Sequence, residues 1–146
     1  DIHPLISERW SPRAYSNKEI PADALRRLFE AARWAPSSSN DQEWRFIIGF
    51  RGDETYEKLF DALVEFNQLW AGEAPVLVLV CGESISRKTG KPSPIFSYDV
   101  GQAVAMLSIQ AAHENLFVHQ MGGYDKTKAR EMFDLPENIE PLAPFR

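Results

Sequence analysis

Disulfide chemistry is excluded first, because the 146 residues hold one cysteine, Cys81, and no intramolecular pair can form. That cysteine ends the apolar run Val76-Leu-Val-Leu-Val-Cys81, where it reads as a buried strand thiol suited to a reducing compartment. No apolar run approaches the ~20 residues a transmembrane helix needs, and the first residues lack the basic-then-apolar order of a signal peptide. The expectation is a cytoplasmic protein with no membrane partner. Positive charge is also short: 16 Lys and Arg against 21 Asp and Glu leave a net charge of −5, which gives no electrostatic ground for a nucleic-acid partner. There are three histidines, none with a second ligand at metal-binding spacing, so no metal site is expected. Internal repeats and low-complexity tracts are absent.

What is present is the composition of a globular protein. Hydrophobic residues make up 44% and aromatic residues 12%, with four Trp, enough for a large core or interface, and the length fits one domain spanning residues 1–146. From Ala22 to Trp34, Leu25, Leu28, Phe29 and Ala32 recur at helical spacing, and Ala35-Pro36 ends that helix. Trp44 to Phe50 reads as a strand, Arg51-Gly-Asp-Glu54 as a turn, and Thr55 to about Trp70 as one further helix. The run Val76 to Cys81 does not alternate, which suits a strand covered on both faces. Gly82 to Ser97 has no periodicity and reads as a mobile loop; Tyr98 to His113 reads as a central buried helix. Phe117 to Tyr124 reads as a short extended segment, Lys126 to Phe133 as a small helix capped by Asp125, and Leu142 to Arg146 as the start of a strand.

Two stretches carry more polar capacity than structure alone requires. Ala35-Pro-Ser-Ser-Ser-Asn-Asp-Gln-Glu-Trp44 offers three hydroxyls and two amides between a helix and a strand, where a connection needs only a few turn residues. It reads as a ligand cradle, with helix capping and turn formation an equal alternative for Ser37 to Ser39. In Ser7-Glu-Arg-Trp-Ser-Pro-Arg13, Arg9, Ser11 and Arg13 alternate, so an extended chain puts two guanidiniums and a hydroxyl on one face, as a phosphate would need. A solvated basic surface is the alternative there. Asp99 reads as a helix cap, Lys88 and Lys91 as solvated loop residues, His113 and His119 as packing or hydrogen-bonding residues, and Trp34, Trp44 and Trp70 as core or interface residues.

In order, Arg9-Trp-Ser-Pro-Arg13, the cradle through Trp44, Asn67 followed by Ala74-Pro75 and its strand, and His119-Gln-Met-Gly-Gly-Tyr-Asp125 resemble the nitroreductase family of flavin enzymes. Asp99-Val-Gly-Gln-Ala103 matches that family's central dimer helix, so the resemblance covers nearly the whole chain. It implies an α+β fold, a mixed and mainly antiparallel sheet wrapped by helices, in an intertwined homodimer with FMN at the subunit interface. It assigns Arg9, Trp10, Ser11 and Arg13 to the FMN phosphate and ring, and Pro36, Ser37, Ser38 and Asn40 to the flavin of the partner subunit. Asn67 would meet the ring, and the backbone of Gln120, Met121, Gly122 and Gly123 would pass near its reactive nitrogen, where glycine leaves room for close approach. Arg13 would stabilise negative charge on the reduced ring.

The implied activity is a ping-pong transfer of hydride from NADH or NADPH through FMN to a small-molecule acceptor such as a nitroaromatic, quinone or activated alkene. No side chain is assigned as catalytic acid, base or nucleophile. A non-catalytic FMN-binding or dimeric interaction module, or a flavin-dependent dehalogenase-type relative, is the alternative. Two departures stand out: the family's usual Gln-Pro-Trp is Gln42-Glu-Trp44 here, and the family chain continues past Leu142 into a last strand and C-terminal arm that this sequence lacks.

Overall fold

The computed structural model describes residues 1–16 and 18–146. Its centre is strand β2 (Val76–Glu83), every residue of which is buried. β1 (Trp44–Phe50) pairs antiparallel with β2 from Trp44↔Gly82 to Phe50↔Val76, and β3 (Ile139–Phe145) pairs antiparallel on the other side from Glu83↔Ile139 to Val78↔Phe145. The sheet order is β1-β2-β3, antiparallel throughout the described residues. Successive side chains of β2 point to opposite faces, so Val76, Val78 and Val80 enter one core and Leu77, Leu79 and Cys81 another. Each such aliphatic side chain contributes about 1.5–3 kcal/mol when fully buried, which accounts for an apolar run without alternation.

The first core is closed by α2 (Ala22–Arg33) and α5 (Phe96–His113). α2 presents Leu25, Leu28 and Ala32, and α5 presents Val100, Ala103, Val104, Leu107 and Ala111. The second core is closed by α3 (Glu54–Asp61), α4 (Glu65–Ala71) and α6 (Lys126–Met132). Both α3 and α6 start on an aspartate that accepts from a first-turn N–H: Asp53 from Tyr56 at 2.6 Å, and Asp125 from Lys128 at 2.9 Å. A short helix, α1 (Pro4–Ser7), interrupts the N-terminal segment, with His3 Nδ1 accepting from the Leu5 N–H at 3.2 Å.

Three expectations change. The single helix over residues 55–70 is two, because Val64 leaves the helical conformation and donates its N–H to Gly123 O at 3.1 Å while Leu63 bridges Tyr124. That pairing, with a segment some sixty positions away, outcompetes helix continuation and sets Asn67 in the first turns of α4. The loop expected to move is a hydrogen-bonded hairpin: Ile85 bridges Pro92, Ser86 N–H reaches Lys91 O at 2.9 Å, and Ser93 N–H reaches Ser84 O at 2.8 Å. On α5, Gly101, Ala105 and Met106 are exposed, so the helix is buried on one face only. Together with the exposed Ile2, Ile6 and Tyr98, they leave apolar surface on the protomer. Among the described residues, no helix is long and apolar enough to cross a membrane.

β1 lies unusually close to α3. A Cβ at Gly49 would stand 2.5 Å from both N and Cα of Tyr56, whose own ring is anchored by its hydroxyl donating to Ala74 O at 2.8 Å. Gly49→Ala therefore forces helix from strand, and overpacking of this kind costs roughly 1–3 kcal/mol. Urea unfolding is expected to show that loss at an unchanged m value; full retention of stability would contradict the packing described.

Candidate functional site

The N-terminal strap, residues 9–14, crosses the end of the sheet where β3 finishes. Arg9, Ser11 and Arg13 are exposed, as are Trp10 and Ala14, and Pro12 alone of the strap is buried; Trp10, Pro12 and Ala14 line a cavity of about 490 Å3 beneath the strap. Arg9 and Arg13 make no ion pair among the described residues; Arg13 sits over the Phe66 ring at 5.8 Å. Trp10 meets Phe117 edge-on at 5.9 Å between ring centroids.

Beside the strap lie α4 and the segment Gln120–Gly123. Asn67 is buried, and its Nδ2 donates to Gly123 O at 2.8 Å. The two glycines differ in what they permit. A Cβ on Gly123 would meet Asn67 Nδ2 and Val64 Cγ2 at 2.8 Å, so this glycine is required by α4. A Cβ on Gly122 would meet nothing within 4 Å, so there the main chain is open to a ligand. Met121 turns its side chain into the second core and donates its N–H to Pro144 O at 2.8 Å, while Gln120 is exposed.

The cradle sits elsewhere. Ser38–Asn40 form a 3-10 turn, and Ser39, Asn40 and, just after it, Gln42 have left-handed backbones, with φ of 53°, 54° and 54°. For residues other than glycine this stores of order 1–3 kcal/mol apiece, and the surrounding contacts hold it. Gln42 N–H donates to Ser37 Oγ at 3.0 Å, Gln42 Nε2 donates to Asn40 Oδ1 at 2.8 Å, and Lys88 Nζ donates to Ser39 O. Asp99 does not cap its own helix: it lies in the first turn of α5 and accepts from Ser38 N–H at 2.8 Å. Ser37 thus serves the turn through its hydroxyl, while Pro36, Ser38 and Asn40 stay exposed. Trp34, at 70% exposed, is no core residue of the protomer.

The structure brings the strap, Asn67 and Gln120–Gly123 together and leaves the cradle apart. Glu83 N–H donates to Glu43 O at the cradle end of β2, whereas Phe145 pairs with Val78 at the strap end. Five steps of strand lead from Val78 to Glu83, about 17 Å at ~3.3 Å per residue. No hydrogen bond or ion pair among the described residues joins the two groups.

Sequence reasoning missed the carboxylate beneath the cradle. Glu43 is 2% exposed; its Oε1 accepts from Ser93 Oγ at 3.3 Å and its Oε2 has no partner. Burial, chiefly, with Asp99 and Asp41 nearby, raises its pKa above the usual carboxylate range against the opposing backbone and Ser93 hydrogen bonds. Among the described residues no group of three His, Cys, Asp or Glu is arranged to hold a metal ion. Burial pushes the Cys81 thiol up to about 12, so it supplies no thiolate at neutral pH.

The chain is similar to known proteins over most of its length. The Nitroreductase family profile matches residues 6–68. An Archaeoglobus fulgidus protein named as an NADH dehydrogenase/NAD(P)H nitroreductase is 28% identical over 139 residues, spanning 92% of this chain and 77% of that one. A crystal structure described as an oxidoreductase containing FMN superposes with a TM-score of 0.93 at 36% identity, over 99% of this chain and 75% of the other. A nitroreductase family protein from Clostridium difficile 630 superposes with a TM-score of 0.80 at 26% identity, over 97% and 79%.

Because the folded pKa of Glu43 is raised, its stabilising contribution is complete below the unfolded-state value and is lost as pH rises through the folded one. Glu43→Gln, an analogue of the protonated acid, is expected to match the parent near pH 4 and exceed it in stability at pH 8. Denaturant midpoints across that range give the difference; parallel pH profiles would contradict the account.

Proposed function

Because the chain belongs to the nitroreductase family, we propose that it is an FMN-dependent NAD(P)H oxidoreductase whose two FMN sites each form between protomers of a homodimer. The observation that carries this reading is the split site. One end of the sheet holds two exposed guanidiniums without an ion pair among the described residues, a hydroxyl, a buried amide and an open glycine backbone; the other, about 17 Å along β2, holds a strained polar cradle. One protomer leaves these halves apart, while a second copy related by two-fold symmetry can set its cradle opposite the first copy's strap. The exposed stripe of α5 is the surface on which the copies would meet.

The residues present fit the cofactor. Arg9, Ser11 and Arg13 match a phosphate and an anionic ring edge in charge and donor geometry. Asn67, held by its hydrogen bond to Gly123 O, would meet the ring, and Gly122 would let main chain approach without a Cβ. Pro36, Ser37, Ser38 and Asn40 would close the partner's site, with Trp10 and the backbones of Gln120 and Met121 shaping its edge. FMN, when bound, supplies the two-electron chemistry linking NAD(P)H to the acceptor. The protein binds it, orients it, holds a cation near its polar edge and leaves one face open, where donor and acceptor would stack in turn, a ping-pong scheme. Nitroaromatics, quinones and activated alkenes are the acceptor classes of this reading.

The test is an absorbance spectrum of the purified protein, before and after reconstitution with FMN, followed by anaerobic NADH or NADPH. A flavin spectrum that either nucleotide bleaches, and that a quinone or nitroaromatic restores, is the expected result. Absence of flavin binding after reconstitution would overturn the proposal, and bound FMN that neither nucleotide reduces would leave a non-catalytic binding module.

A further inference from the structure

The side chain of Arg146 lies between two aromatic rings, 4.0 Å from the Tyr15 centroid and 3.9 Å from the Trp70 centroid, and the residue is 5% exposed. No carboxylate among the described residues pairs with it. A buried cation without a counter-ion is costly; here two π faces and two backbone carbonyls offset that cost. The guanidinium donates to Trp70 O and, at 3.5 Å, to Pro12 O. Its main chain is locked to His119 in both directions: His119 N–H to Arg146 O at 2.9 Å, and Arg146 N–H to His119 O at 3.2 Å. The His119 ring leans on Trp70 with centroids 4.5 Å apart, and its Nδ1 stands 2.7 Å from Pro12 O. A carbonyl oxygen only accepts, so that nitrogen carries the hydrogen.

Each of these contacts falls next to one flavin-facing piece. Pro12 lies between Ser11 and Arg13, Trp70 is one helical turn beyond Asn67 on α4, and His119 immediately precedes Gln120–Gly123. Gripping the Pro12 carbonyl from two donors fixes the peptide plane between Pro12 and Arg13, and the residues flanking Pro12, Ser11 and Arg13, are exposed.

We propose that Arg146 and His119 are positioning residues, a clamp behind the flavin site that fixes the strap, the Asn67 helix and the Gly122 backbone relative to one another. The proposal rests on the flavin reading for its consequence but not for its geometry. Neither residue touches the cofactor; they act through Pro12, Trp70 and the main chain. Planarity is essential, because an ammonium cannot lie flat between two rings while reaching two carbonyls.

The test combines two measurements. Deuterium uptake of the strap, residues 10–14, is followed in protein free of FMN, and the FMN dissociation constant is measured by flavin fluorescence. Arg146→Lys and His119→Ala are expected to raise strap exchange and weaken FMN about tenfold or more, a change typical of misplaced charge-assisted hydrogen bonds. His119→Asn, which returns an N–H donor toward Pro12 O, is expected to recover most of both. Leu59→Ala, a cavity in the second core at a residue with no hydrogen bond to the strap, serves as a control for general destabilisation; it is expected to lower the melting temperature with FMN affinity held within about twofold, less than a hydrogen-bond loss would produce. Unchanged strap exchange in Arg146→Lys and His119→Ala, or FMN loss no greater than in Leu59→Ala, would overturn the clamp. If the parent binds no FMN, the flavin reading falls while the exchange measurement still decides the clamp.

Discussion

Burial of both faces of β2 is the constraint on which the rest depends. Once Val76, Val78 and Val80 are committed to one core and Leu77, Leu79 and Cys81 to the other, helices must cover both sides, and the strand becomes the most rigid part of the molecule. Its length then fixes the spacing of everything attached to its ends. The cradle hangs from the Gly82–Glu83 end through β1, and the strap is held at the Leu77–Val78 end through β3. On the proposed reading, a site divided this way within one protomer is one that a second protomer would complete.

The two halves are built by different means. The cradle is a strained loop, with three left-handed residues held by Asp99, Lys88 and its own side chains. Such a loop keeps its exposed groups preorganised, at a cost to stability that Glu43 increases as it ionises. The strap has almost no regular structure, and its order comes from behind, through Pro12, His119 and Arg146. Polar groups that would otherwise be liabilities are thus tied to backbone carbonyls and turned toward one use.

Much of this was legible in the sequence wherever the signal is local. Trp44–Phe50 appears as a strand with the bounds its aromatic and β-branched residues suggest, Ala22–Arg33 follows its apolar period, and Arg9, Ser11 and Arg13 are exposed. What sequence could not give is pairing between distant segments. Helical spacing runs unbroken through Leu63, and only the bond from Val64 to Gly123 breaks it. Asp99 has the composition of a cap for its own helix, yet its partner is Ser38, and Lys88 reads as solvated until Ser39 is placed beside it. Arg146 carries no local signal for burial, since its rings come from residues 15 and 70. The positions that misled are therefore those joining the site's pieces, and the same tertiary contacts position it.

The central claim, that each flavin site takes its strap from one protomer and its cradle from the other, is tested most directly by complementation. A strap variant carrying Arg9→Ala and Arg13→Ala, and a cradle variant carrying Ser38→Ala and Asn40→Ala, are each made as homodimers deficient in FMN. Mixing them through mild unfolding and refolding is predicted to restore flavin to one site of every mixed dimer, where an intact strap meets an intact cradle. If the mixture binds no more FMN than its two components do separately, the halves belong to the same protomer and the account is wrong.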